Sequence, residues 1–289
     1  GCTGVRSSEP SAAASGRPPS ADEVRLIVSR DFGASLLTDV TAPAAADLSV
    51  MRLLAENTRV ETQYGGGFVQ SIDGLTSTYG SVADADAKDW FYWVDGIMAD
   101  MGAGDFALKG GETVWWDHHS WARAMYLPVA VGAFPAPWAG GELPLTSGGE
   151  TAGLQAWAAE HGLTLGAAKR LGARPPAAGI IVATAAEAQA TPWLRERIAG
   201  ADGGVELLEA RDDGIFLRAL DGTPGSAATG ACLALPNPED GARPLLLLLV
   251  QDADALDPML ASLTPASLSA RLAVAAVDGM LEPLPWEPK

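Results

Sequence analysis

The sequence is poor in the residues from which disulfide frameworks, metal centres and nucleic-acid surfaces are made. Its only cysteines, Cys2 and Cys232, stand near opposite ends of 289 residues, so no disulfide scaffold is available. The three histidines, His118, His119 and His161, show no HxxxH spacing and lie near no paired cysteine, which excludes the common zinc patterns. Lys and Arg total 19 against 36 Asp and Glu, a net charge of −17, and a phosphate-binding surface needs the opposite balance. The shortage of positive charge is even: residues 22–126 carry 16 acidic and 7 basic groups and residues 127–289 carry 19 and 10, so neither half conceals a basic module. No apolar run reaches the roughly 18 residues of a membrane helix. The strongest candidate, Leu245 to Val250, stops at Gln251 and Asp252.

Signatures of catalysis are equally scarce. There is no P-loop and no G-x-S-x-G elbow. Gly102-Ala103-Gly104-Asp105-Phe106-Ala107 has loose dinucleotide spacing, but a strand rather than a helix follows, leaving no N-terminus to hold a pyrophosphate. Asp84, Asp86 and Asp89 resemble the start of a calcium loop without its central glycine or closing glutamate. His118 and His119 are neighbours on a strand, point to opposite faces, and so at most one can meet a given ligand. No turnover is expected. A serine-histidine-aspartate grouping assembled from distant segments stays open, though nothing local favours it.

What is present is apolar: 48 % hydrophobic and 19 % charged residues can bury a core, and the length suits two domains. Residues 1–21, rich in Ser, Ala, Gly and Pro, read as a flexible tether. With Cys2 behind a small residue, this looks like the start of a mature bacterial lipoprotein, lipidated at Cys2. An accidental Gly-Cys pair is the alternative. Residues 22–126 read as a hairpin (24–29 and 35–40), a short helix over 48–54 capped by Asp47, strands at 60–64 and 68–72, a polar loop over 75–89, and strands at 90–94 and 113–116. That order suits one helix across a mixed sheet, a β-grasp arrangement. Residues 127–289 read as a layered α/β domain. Its helices fall at 151–161, 185–199, 254–262 and 266–279, and its strands at 180–182, 205–208, 215–217, 232–235 and 245–250. The fold class is therefore α+β, and the leucine run predicts a strand buried on both faces.

Fourteen of the 19 aromatic residues lie between Tyr64 and Trp138, more than a domain of that size needs for its core. On the strand from Trp90 to Val94, Trp90 and Tyr92 share one face while Phe91 and Trp93 share the other. One face fills the core. The other is expected to cover either a flat ligand or the second domain.

The run Trp90-Phe-Tyr-Trp-Val-Asp-Gly96, followed by Gly104-Asp-Phe-Ala-Leu-Lys-Gly-Gly-Glu-Thr-Val-Trp115, resembles the β-grasp family that includes the C-terminal cobalamin-binding domain of transcobalamin and intrinsic factor. Gly65-Gly66-Gly67-Phe68 through Gly74 is similar to that family's preceding strand. The likeness covers residues 22–126 and not the second domain. It implies extracytoplasmic capture of cobalamin or a related corrinoid for hand-over to a membrane importer, with membrane attachment only through the lipid anchor and no nucleic-acid partner. By the resemblance Phe68 and Trp90 sit where the family places ligand-facing aromatics, with Tyr79 in the loop beside them; Tyr64 and Trp93 would add flat contact, Gly66 and Gly67 open backbone for the amides of a corrin, and His118 or His119 is the candidate cobalt ligand. Two alternatives remain: a surface module binding a protein or glycan, and an enzyme in residues 127–289 with the first domain as accessory.

Overall fold

The computed structural model describes residues 16–78, 87–149, 151–201, 205–237 and 239–288. The chain opens with a hairpin, β1 (Glu23–Arg30) and β2 (Ser35–Pro43), followed by α1 (Val50–Asn57). Next come β3 (Val60–Gln63), β4 (Phe68–Ile72), β5 (Leu75–Thr76), β6 (Lys88–Val94), β7 (Ile97–Met98) and β8 (Thr113–Ser120). Five of these strands form a mixed sheet in the order β2-β1-β8-β6-β7, with β1 and β8 parallel at its centre; β3, β4 and β5 make a small sheet of their own.

Helix α1 forms because Val50, Leu53 and Leu54 recur at helical spacing and sink into one stripe, against Val24, Leu26 and Val28 of β1 and Trp116 of β8. Its cap is Ser49, whose hydroxyl accepts from the Arg52 amide, and not the expected Asp47, which turns the preceding loop at φ +59°. The opposite face of the sheet is equally dry. There Ile27, Trp93 and Trp115 pack on Leu127, Ala130, Ala270 and Leu272 from the second half of the chain. Arg25, buried in the same interface, makes a bidentate pair with Asp39 at 2.8 Å and also donates to Ser269 Oγ.

After α2 (Trp121–Ala124), the second half runs β9 (Glu142–Ser147), α3 (Ala152–Glu160), β10 (Thr164–Lys169), β11 (Gly179–Thr184), α4 (Ala185–Ala190) and α5 (Pro192–Ile198). It continues through β12 (Leu208–Arg211), β13 (Gly214–Arg218), β14 (Pro224–Ala228), β15 (Gly230–Leu235) and β16 (Leu245–Val250). It closes with α6 (Leu256–Ser262), α7 (Pro265–Leu268), β17 (Ala273–Val277) and β18 (Met280–Leu284). Seven strands form the sheet β10-β9-β11-β16-β15-β17-β18, whose first four members are mutually parallel. The leucine run is its spine, as predicted. Leu245, Leu247 and Leu249 face α4, α5 and the small sheet β12-β13-β14, while Leu246, Leu248 and Val250 face α3, α6 and α7. Burying those six side chains removes roughly 10–15 kcal/mol of apolar exposure before entropy is charged against it.

Two helix expectations fail here. The helix over 185–199 breaks at Thr191, where Pro192 starts a second helix. The helix over 266–279 stops at Leu268, and Ala273–Val277 is instead a strand paired with β15 and β18. Alanine favours helix, but ladder pairing on both sides and burial in the sheet outweigh about 0.5 kcal/mol per residue of propensity. The chain as a whole mixes α and β structure, with strands predominating and every helix short.

Candidate functional site

The β3-β4 connection is Tyr64-Gly65-Gly66-Gly67. Tyr64, Gly65 and Gly66 all take positive φ, at +52°, +74° and +96°. A Cβ on Gly65 or Gly66 would meet nothing within 4 Å, so these glycines are required by backbone conformation and not by crowding. The turn thrusts the Tyr64 ring outward, 82 % exposed, and sets it edge-on to half-buried Phe68 with centroids 6.3 Å apart. Tyr64, Gly66, Gly67 and Phe68 are therefore brought together on one open turn.

Trp90 and Trp93 are not part of it. Trp90 is 7 % exposed, its indole N–H donates to Leu75 O, and its ring leans on His118 at 4.9 Å. Trp93 is fully buried, stacked on Trp115 at 4.6 Å, with its N–H donating to Leu127 O at 2.8 Å. The expectation that one aromatic face of β6 meets a ligand is corrected: the second half of the chain covers it. Sequence reasoning weighed that outcome, but aromatic content does not tell an intramolecular cover from an external one. Tyr79, Cys2, Asp84 and Asp86 lie outside the described residues. Asp89 is already committed, accepting from Ser77 Oγ and the Trp90 amide at 2.7 Å each.

The histidines are equally enclosed. His118 is 3 % exposed; burial, and next the Lys88 charge, hold its pKa below the usual imidazole value. Its Nε2 has no hydrogen-bond partner among the described residues. His119 is wholly buried between Phe32 and Phe91, with ring centroids 4.4 and 4.5 Å away. Its Nδ1 meets Asp117 Oδ2 at 2.9 Å and its Nε2 meets Ala124 O at 3.2 Å. Neither ring reaches the outer surface, so the expectation that one of them ligates the cobalt of an external ligand is not met.

Ser29, Asp117 and His119 do form a serine-aspartate-histidine cluster, and its wiring determines what it can do. The carboxylate sits in the middle: Asp117 accepts from Ser29 Oγ, from the amides of Phe32 and Gly33 at 2.9 and 3.0 Å, and faces His119. A nucleophile would need its hydroxyl on the imidazole. Here the hydroxyl donates to the acid, and the far ring nitrogen faces a carbonyl. The cluster pins the β1-β2 turn to β8 and holds no activated oxygen. Trp115 completes it, its indole N–H donating to Ser29 Oγ at 2.8 Å.

Beside that turn, a crevice of about 300 Å³ lies between the halves, lined by Asp31, Phe32, Lys88 and Ser120 on one side and Asp221 and Trp286 on the other. Two of these lining residues, Lys88 and Asp31, form a close ion pair. No local pattern marks this crevice, because Trp286 lies some 200 residues from Lys88.

A family model described as a domain of unknown function (DUF4430) matches residues 47–120, the stretch containing α1 and β3 through β8. Two solved structures are similar over 34 % of the chain. One is a candidate metal binding protein from Ruminococcus gnavus ATCC 29149, at 16 % identity over 97 % of that chain with a TM-score of 0.26. The other is haptocorrin in complex with Cbi, at 15 % identity and a TM-score of 0.24, of which the chain spans only 26 %. At those scores neither likeness decides the arrangement or the ligand. No curated protein matches the chain.

Proposed function

We propose that the chain is a ligand-capture protein that takes up cobalamin or a related corrinoid at the Tyr64–Phe68 turn. The observation that carries this reading is Tyr64, a large aromatic ring 82 % exposed on a positive-φ turn, in a protein that buries the indoles of Trp90, Trp93, Trp115 and Trp116. An exposed ring beside open glycine backbone offers flat apolar contact together with unobstructed N–H and C=O groups, which a macrocycle rimmed with amides can use. The hairpin, helix and central parallel pair β1-β8 support a β-grasp arrangement for residues 22–126. In this proposal Cys2 carries a lipid anchor, the protein works outside the cytoplasm, and a membrane importer receives the ligand. No covalent step belongs to it.

The test is equilibrium dialysis of the full chain against hydroxo-, cyano- and adenosylcobalamin, followed by absorbance of the bound corrin. Covering roughly 80 Å² of the Tyr64 ring contributes about 2 kcal/mol, so Tyr64→Ala should weaken binding about 30-fold. No retention of any of the three corrinoids rejects the reading. If Tyr64→Ala abolished self-association while corrinoids did not bind at all, the turn would be a protein-interaction surface instead.

A further inference from the structure

The parallel part of the seven-stranded sheet has a topological switch. From β9 the chain passes through α3 to β10 on one side, then returns to lay β11 on the other side of β9. In open sheets of this kind, ligands settle at the carboxyl ends of the strands where the winding reverses. A crevice of about 240 Å³ lies at that place, where Ser147 ends β9, Thr184 ends β11 and Val250 ends β16.

Its lining specifies the occupant. Val182, Val250 and Leu256 supply an apolar wall, and Glu187 and Asp257 are the only ionisable groups among the described lining residues. Glu187 is held by one oxygen: Oε2 accepts from the Thr184 amide and hydroxyl at 2.8 and 3.0 Å, closing the α4 cap. Its other oxygen, Oε1, lies against Gly148, where a Cβ would stand only 2.6 Å away. The solvent-exposed Asp257 lies with its carboxylate against Gly153 in the first turn of α3, in space that a Cβ would fill. Two glycines thus leave room for the two carboxylates that line the crevice.

We propose that this crevice is a second binding site, for a small aliphatic ammonium compound. The cationic head sits between Glu187 and Asp257, and the hydrocarbon lies on Val182, Val250 and Leu256. The strand-glycine-helix layout of Ser147-Gly148-Gly149 before α3 is one that nucleotide-binding folds use for phosphate. Here no Lys, Arg or His lines the crevice among the described residues, and the Gly149 amide is already donated to Ser147 Oγ at 3.2 Å. Two unneutralised carboxylates repel a phosphate and attract a cation. A bare divalent ion fits poorly, because it seeks six or more oxygens, and no group of three or more His, Cys, Asp or Glu side chains converges among the described residues.

The experiment titrates the full chain with n-butylamine and putrescine by calorimetry, with inorganic phosphate and magnesium chloride as competing probes. It compares the wild type with Glu187→Gln, Asp257→Asn and the distant control Glu61→Gln, each checked for folding by circular dichroism. Saturable amine binding is expected, weakened about tenfold in each site variant and unchanged in Glu61→Gln. Absent saturation, equal affinity in all variants, or preferential binding of phosphate or magnesium would each overturn the assignment.

Discussion

Replacing Trp93 with alanine separates a ligand-facing indole from a structural one. The side chain is fully buried between the five-stranded sheet and the second half of the chain, stacked on Trp115 at 4.6 Å and bonded to Leu127 O at 2.8 Å. Burying an indole of roughly 200 Å² contributes about 5 kcal/mol at 25 cal/mol per Å², and large aromatic truncations cost about 3–5 kcal/mol. Leaving the Leu127 carbonyl unpaired adds about 1 kcal/mol. Trp93→Ala should therefore lose about 4–6 kcal/mol, a large part of a typical total of about 5–15 kcal/mol. Trp93→Phe keeps the ring stack and gives up the hydrogen bond, so a loss of about 1–2 kcal/mol is expected. Urea unfolding followed by far-ultraviolet circular dichroism reads both. A loss below about 1 kcal/mol for Trp93→Ala would refute the packing argument and restore the indole as a candidate contact for an external molecule.

Burial pushes the Asp95 carboxyl up to about 6 from 3.8, against the hydrogen bond from the Thr113 amide and with the Glu112 charge adding to the rise. The folded state then holds the extra proton, so this group makes stability fall as pH climbs from about 4 to about 6, by at most about 3 kcal/mol. Asp95→Asn should flatten that dependence, read as urea midpoints at acid and neutral pH; an unchanged slope would count against it. Gly33 stands at φ +80°, where a Cβ would overlap the Ala270 carbonyl across the junction of the halves. Gly33→Ala should cost at least about 2 kcal/mol, and a neutral result in the same unfolding assay would mean the junction is looser than described. Burial also pushes the Cys232 thiol up to about 12, so in the native protein it should resist a thiol reagent and react only after denaturation. Mass mapping of the labelled peptide checks this, and rapid native labelling would contradict it.

Where the pattern was local, the sequence was legible. The β1-β2 hairpin, the β3-β4 pair, the apolar stripe of α1 and the doubly buried leucine strand follow from alternation, spacing and glycine punctuation. Strands β9, β10, β14 and β18 went unread, because short segments such as Glu142–Ser147 and Pro224–Ala228 mix Pro, Gly and small residues without a clean period. Tyr64, Gly66, Gly67 and Phe68 share one turn because they are contiguous in the chain. Trp90 and Trp93 were not placed, because the identity of what lies across a strand is a long-range fact.

By itself, then, the sequence determined composition-level limits and local patterns: an acidic, apolar-rich chain, a triple-glycine break between two strands, and strands with one or two buried faces. Only the tertiary structure decided what covers each face. It spent the second aromatic face of β6 and β8 on the junction between halves, wired Ser29 and His119 through Asp117, and brought Ser147, Glu187 and Asp257 to one end of a sheet. The physical reason is that hydrophobic burial is non-directional: it requires that an indole leave water without stating which surface receives it. Glu187 and Asp257, far apart in the chain, come to line one crevice only once strand order has been set.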